Sequence, residues 1–166
     1  PTTTIERDYA QNWLLTGLEG AKVALKGGTG IRKAYIGDYR FSDDLDFILR
    51  ADIESERLRE AVAGAIASAR ENSGIAFDGE FRIVANRNGF ETSIFFGMLM
   101  SGRSRMKIKL DITGPRMETI LLPVRKRPVS HPYSDKCDAQ VSAYALEEIA
   151  AEKIRSLFQR TRARDL

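Results

Sequence analysis

Histidine and cysteine are almost missing from this 166-residue sequence, which has one of each, His131 and Cys137. A single thiol cannot form an internal disulfide, which fits a reducing compartment and makes the cytoplasm the expected location. The same scarcity excludes a zinc cage and a Ser-His-Asp hydrolase. His131 lies in a proline-flanked loop with only Cys137 as a soft partner, so it reads as structural or surface. No apolar run approaches the roughly 18 residues of a membrane span, so a soluble chain with no membrane partner is expected. Nothing near Pro1 resembles a signal peptide. Internal repeats, low-complexity tracts and dividing linkers are also lacking, and one domain over residues 1–166 is the expectation. What is present is ordinary for a globular protein, with 43% hydrophobic and 30% charged residues. A chain of this length buries about 70% of its unfolded surface.

The formal charge of +3 is mild but unevenly spread. Arg103, Arg105, Lys107 and Lys109 form one basic cluster, Arg125, Lys126 and Arg127 a second, and Arg155, Arg160, Arg162 and Arg164 a third. Such patches suit phosphate-bearing partners, although any one of them alone reads as solvated surface.

Hydrophobic periodicity orders the chain. Tyr9, Trp13, Leu14 and Leu18 recur at helical spacing and predict a helix over Ile5 to Leu18. "AKVALKG" reads as a short buried strand, and "GGTGIRKAYIG" as a glycine turn opening into a helix that stops by Gly37. "DLDFIL" is a second strand, followed by an amphipathic helix from about Ile53 to Ala69. Two extended runs flank Asn88-Gly89, a hairpin signal. In "RMKIKLDIT" the residues Met106, Ile108, Leu110 and Ile112 alternate with Lys107, Lys109 and Asp111, so one face is buried and the other polar. Prolines at 123, 128 and 132 make the next region an edge strand or loop. A last helix is expected from about Tyr144 to Thr161. Leu146, Ile149, Ala150 and Leu157 mark its apolar stripe, with Lys153 on it, and Arg160 repeating the spacing toward a polyphosphate-binding cleft. The expected fold class is α+β, a mixed sheet flanked by helices, with the carboxylates at one sheet edge.

The chemistry starts at "SDDLDF". Residues two apart on a strand face the same side, so Asp44 and Asp46 project together while Leu45 and Phe47 point inward. Their Cα atoms sit about 6.6 Å apart on a rise of about 3.3 Å per residue, near enough for both carboxylates to lean onto one ion. A hard divalent cation relieves that repulsion, and Mg²⁺, with Mn²⁺ as a substitute, completes its shell with water and substrate phosphates. Asp111, on the polar face of another strand, offers a third carboxylate. The plain alternative for an isolated D-x-D is a polar turn that caps a helix. Here it stands beside a glycine turn at a helix start, where unpaired N–H groups attract phosphate. Gly27 and Gly28 let a triphosphate approach the backbone, and the Thr29 hydroxyl is placed to donate a further hydrogen bond. Other phosphate and cation motifs fail: "GGTGIRKA" lacks the Walker ending, G-x-G-x-x-G is absent, and "DDLDFILRADIE" is no EF-hand. Lys153 on an apolar stripe reads either as a snorkelling side chain or as a polyphosphate contact.

These segments together resemble the nucleotidyltransferase AbiEii/AbiGii toxin family, a branch of the DNA polymerase beta-like nucleotidyltransferase superfamily. "IERDY", "KGGTGIRKAY", "RFSDDLDF", "KIKLDI" and "LEEIAAEKIRSLFQRTRARDL" occur in the family's order and cover nearly the whole chain. The resemblance implies that Gly28 and Thr29 hold the nucleotide's phosphates and that Asp44 and Asp46 bind Mg²⁺. It implies Asp111 as the third acid, ligating metal or helping to deprotonate the acceptor hydroxyl. Lys153 then contacts the triphosphate, Asp165 belongs to the C-terminal motif, and Arg40 and Ser42 brace the loop before the acids. The family continues after "RDL" with a tyrosine, another acid and further helices, whereas this sequence stops at Leu166. The last helix is therefore expected to begin a C-terminal helical part that is shortened here. The implied reaction is metal-dependent transfer of a nucleoside monophosphate from an NTP to an acceptor hydroxyl, on RNA such as a tRNA end. The implied setting is a toxin-antitoxin or phage-defence pair, with a cognate antitoxin as partner. Alternatives are transfer onto a protein hydroxyl and a nucleotide-binding module whose catalysis has lapsed.

Overall fold

The computed structural model describes residues 2–98 and 105–164, with side chains in the last helix described as far as Phe158. Helix α1 (Thr2–Gly17) leads into strand β1 (Val23–Leu25), then α2 (Gly27–Ala34), β2 (Asp44–Leu49) and the long α3 (Ser55–Ser73). After α3 come β3 (Ala76–Phe77), β4 (Val84–Asn86), β5 (Gly89–Gly97), β6 (Met106–Thr113) and β7 (Arg125–Pro128). Strand β8 (Gln140–Ala143) and helix α4 (Leu146–Arg164) complete the order.

The strands form one mixed sheet in the order β3-β5-β6-β2-β1-β8-β7, with β4 pairing β5. Strand β2 runs antiparallel to β1 and parallel to β6, while β1 runs parallel to β8. The α+β class expected from the sequence is what forms. The expected place of the carboxylates is corrected: β2 and β6 are interior strands, so the acids sit mid-sheet rather than at an edge. Interior strands suit them because Leu45, Phe47, Leu110 and Ile112 on those strands are core residues, each at most 3% exposed.

Alternation divides the sheet into two unlike faces. Leu45, Phe47, Leu49, Ile94, Phe96, Ile108 and Leu110 join Leu14, Leu58, Val62 and Ile66 of α1 and α3 in the main core. On the other face Ala24 and Ile48 pack with Ile31 of α2, Tyr144 and Ile149 of α4 in a smaller cluster. Ile48 lies two residues beyond Asp46, so the acids share the face of this smaller cluster.

The helix ends differ from expectation for local reasons. Helix α1 begins at Thr2 and α3 runs one turn past Ala69. At the end of α3, Gly74 takes a left-handed conformation (φ 69°) and its N–H closes onto Arg70 O at 2.9 Å. Glycine adopts this cap without the Cβ penalty. Tyr144 and Ala145 precede α4 rather than opening it. The expected apolar stripe of α4 is only half realised: Ile149 is fully buried, whereas Ala150 and Leu157 are exposed. Arg160 falls outside the described side chains. The hairpin at Asn88-Gly89 forms, but its first arm is only the three residues of β4. Among the described residues, no helix is long and apolar enough to cross a membrane.

Candidate active site

Helix α2 starts on the glycine pair itself, with no separate turn between β1 and the helix. Gly30 N–H is the first to close, onto Lys26 O at 2.9 Å, so the N–H groups of Gly27, Gly28 and Thr29 come before the first helical bond. Gly27 has φ 66°, and a Cβ there would collide with Oδ2 of Asp46. The absence of a side chain is what lets the helix start and this carboxylate meet. At Gly28 the constraint is space of another kind. A Cβ there would lie 3.6 Å from Ser42 Oγ, 3.7 Å from Arg40 Nη2 and 3.9 Å from Lys153 Nζ. One hydroxyl and two cations thus converge on the start of α2.

The acids come together as the strand pattern implied. Asp46 of β2 is in register with Asp111 of β6, and Asp44 is in register with Lys109. Burial pushes the Asp46 carboxyl up to about 6, helped by the charges of Asp111 and Asp44 and opposed by Lys26 and Lys153. Asp111 is paired with Lys109 at 3.0 Å. Among the described residues, no three acidic, histidine or thiol groups close on one point as a ready-made cage. A half-buried carboxyl crowded by the charges of two others nevertheless fits a hard cation with an incomplete protein shell. Mg²⁺ binds in that manner, through one or two carboxylates plus substrate oxygens.

Thr29 differs from expectation. Its side chain is fully buried and its hydroxyl donates to Asp44 O, so it ties α2 to the start of β2. Any contribution to phosphate binding from this residue falls to its backbone N–H. Arg40 and Ser42 lie beside Gly28. Asp165 lies outside the described residues.

Sequence reasoning missed the scaffold behind the acids, which is supplied by α1. Gln11 Nε2 donates to Ser42 O and Asp43 O, both at 3.0 Å, and Arg7 pairs with Asp43. Asp8, 2% exposed, binds Arg32 at 2.7 Å and Lys33 at 2.8 Å on α2. Arg32 also donates to Gly37 O (2.9 Å) and Tyr39 O, and stacks over Phe41 at 3.9 Å, which organises the chain leading to Arg40. Burial would push the Asp8 carboxyl up, but bonds and charge from Arg32 and Lys33 hold it below its ordinary value. Burial lowers Lys33 to about 8 against the pull of Asp8. The only sequence signal for this lock is that "IERDYAQNW" places acids and amides at helical positions between apolar ones.

His131 is structural, as expected: it contacts Asn12 at 3.0 Å and Asp135 at 2.9 Å amid Tyr9, Trp13 and Tyr133. The basic clusters are largely taken up locally. Arg105 pairs with Asp78 at 2.7 Å and lies 4.0 Å over Phe95, Lys126 pairs with Glu19, and Arg127 donates to Ala34 O. Arg103, Arg162 and Arg164 fall outside the described side chains. A cleft of about 990 Å³ between α1 and the β3–β5 end of the sheet is lined by Ile5, Tyr9, Ile75, Phe96 and Met98 and holds none of the acids above.

Residues 12–166 match the family model described as nucleotidyl transferase AbiEii toxin, type IV TA system. No curated protein matches the sequence. A crystal structure from H. pylori, of a protein provisionally assigned as a nucleotidyltransferase, has the same fold with a TM-score of 0.62 at 19% identity. The match covers 92% of this chain and 58% of that one, so the present chain spans little more than half the length of that relative.

Proposed function

The chain belongs to the AbiEii nucleotidyltransferase toxin family of type IV toxin-antitoxin systems, and from that premise we propose that it transfers a nucleoside monophosphate from an NTP to an acceptor hydroxyl on RNA. The observation that carries this reading is the meeting of Asp46, flanked by Asp44 and Asp111, with the bare helix start at Gly27 and Gly28. Lys153, Arg40 and Ser42 face that helix start from α4 and the loop before β2.

In this reading the backbone N–H groups of α2 and the Lys153 and Arg40 cations hold the triphosphate. They also neutralise charge that builds on the departing pyrophosphate. A bond forms between the acceptor oxygen and the α-phosphorus as the bond from that phosphorus to the bridging oxygen breaks. Asp111 is the carboxylate placed to take the acceptor's proton. Mg²⁺, held by Asp44 and Asp46 with Asp111 beside them, supplies charge neutralisation and polarisation at phosphorus. An antitoxin protein is the partner that the family implies, and a tRNA end is the acceptor the family suggests.

The test is incubation of the protein with each labelled NTP and a divalent cation, separately with total RNA and with cell protein. Label in RNA that disappears in Asp46→Ala is the expected result. Label in protein alone overturns the RNA acceptor, and no cation-dependent label in either overturns the transferase reading.

A further inference from the structure

The acid-bearing face of the sheet continues past Asp111 as an open surface. Helices α2 and α4 pack on that face against β1, β2 and the end of β8. Over β5 and β6 its side chains reach solvent: Lys107 is exposed, and Lys109, Asp111, Glu91, Ser93 and Phe95 are partly so. Register puts these residues side by side, with Glu91 opposite Asp111, Ser93 opposite Lys109 and Phe95 opposite Lys107. Asp111 is itself in register with Asp46, so the surface runs without a break into the proposed metal site. Strands β3 and β4 pair with the two ends of β5, through Phe77–Phe96 and Val84–Glu91. Beside the middle of β5 a cleft of about 610 Å³ opens, lined by Arg82, Phe95, Arg105 and Lys109 among others.

Resting on the transferase reading above, we propose that this open face binds the unpaired end of the RNA acceptor, with a base stacked on Arg105 and the phosphates held by Lys107 and Arg82. Arg105 lies over the Phe95 ring, 4.0 Å from its centroid, and Asp78 fixes the guanidinium through bonds of 2.7 and 3.0 Å. Its side chain is nevertheless 64% exposed. A guanidinium plane backed by an aromatic ring is a surface on which an unstacked base packs, whichever base it is. A duplex keeps its bases in its own stack, so the surface selects a single strand.

Charge on the face favours a phosphate chain. Lys109 pairs with Asp111 at 3.0 Å and with Glu91 at 3.5 Å, and Arg105 takes Asp78, so these acids are already balanced. Among the described residues Lys107 and Arg82 are exposed and enter no ion pair, and Glu80 is the remaining acid of the cleft. Distance fixes the polarity of the strand. Lys107, opposite Phe95, stands four residues along β6 from Asp111, which is about 13 Å at about 3.3 Å per residue. That is farther than a nucleotide's terminal hydroxyl lies from its own base. The base on Arg105 therefore belongs to a nucleotide upstream of the one whose hydroxyl meets Asp111.

The experiment titrates a short labelled single-stranded RNA, and the same RNA annealed to its complement, into the protein at several salt concentrations without NTP. Wild type, Arg105→Lys, Lys107→Ala and Lys126→Ala are compared, all changed at exposed side chains. The single strand should bind more tightly than the duplex. Arg105→Lys keeps the charge but loses the plane, so it should weaken single-strand binding about fivefold or more with an unchanged salt slope. Lys107→Ala should lower the slope of log affinity on log salt by about 0.7, the value of one phosphate contact on a single strand. Lys126→Ala, on β7 at the opposite edge of the sheet, should bind like the wild type. In the transfer assay Arg105→Lys should raise KM for RNA and leave KM for NTP unchanged. Wild-type affinity in Arg105→Lys together with a wild-type slope in Lys107→Ala overturns the proposal. Duplex binding as tight as that of the single strand overturns it too, as does a loss in Lys126→Ala equal to that in Lys107→Ala. Should the wild type transfer no label, the transferase reading fails separately, and the titrations, which need no turnover, decide the surface by the same criteria.

Discussion

Gly28→Ala separates the role of the glycine pair in folding from its role in binding. Gly28 is not among the glycines with positive φ, so alanine can adopt its backbone conformation. The added methyl would meet nothing closer than 3.6 Å, which is ordinary van der Waals contact. Alanine also favours helix over glycine by up to about 1 kcal/mol. Stability should stay level or rise, with a melting temperature higher by at most about 2–4 °C for a chain of this size. Binding should move the other way. The methyl fills the space between Ser42, Arg40 and Lys153 and keeps a phosphate off the Gly28 and Thr29 N–H groups. Losing one hydrogen bond to a charged group costs about 1.5–3 kcal/mol. In NTP affinity that is a loss of about tenfold to somewhat over a hundredfold. Thermal melting and calorimetric titration with a non-hydrolysable NTP and Mg²⁺ measure the two effects on one preparation. An alanine variant that melts like the wild type and binds NTP equally well would refute the phosphate site at the start of α2.

Gly27→Ala should fail on both counts: its left-handed backbone costs a side chain about 1–2 kcal/mol, and the methyl displaces Asp46, so melting and transfer fall together. Retained transfer would mean that Asp46 acts from another position. Asp46→Asn should abolish transfer yet stabilise the fold. The Asp46 carboxyl titrates at about 6, above its ordinary 3.8, so folding holds a proton that unfolding releases, and stability falls as pH rises from about 4 to 6. Removing that group should gain on the order of 1–2 kcal/mol at neutral pH after solvent screening, with little gain at pH 4; urea unfolding at both pH values checks this, and equal gains would contradict it. Asp8→Asn leaves Arg32 and Lys33 buried without their counter-ion, a loss of about 3–5 kcal/mol. Urea unfolding within 1 kcal/mol of wild type would show that the lock between α1 and α2 is dispensable.

The site acids were legible because their signal is local. The D-x-D spacing and the strict alternation in β6 each fix which side a carboxylate faces, whatever the strand pairs with. The glycine pair was legible for a similar reason, since few residues can start a helix against a carboxylate. Strand β8 was not legible: its four residues carry no periodicity, and it forms by pairing along its length with β7 and, at Ala143, with Leu25 of β1. Thr29 was misread because a hydroxyl beside a phosphate loop has two possible acceptors, and only packing selects Asp44 O.

By itself the sequence determined the elements whose cause lies within a few residues: the faces of β2 and β6, the bare start of α2, and the kind of chemistry their side chains permit. Tertiary structure alone decided that Asp46 sits opposite Asp111, that α1 clamps the loop before the acids, and that Lys153 reaches Gly28 from the far end of the chain. The physical reason is range. Alternation and backbone sterics act over one to four positions, whereas pairing register and buried ion pairs depend on which distant surfaces become neighbours when the core closes.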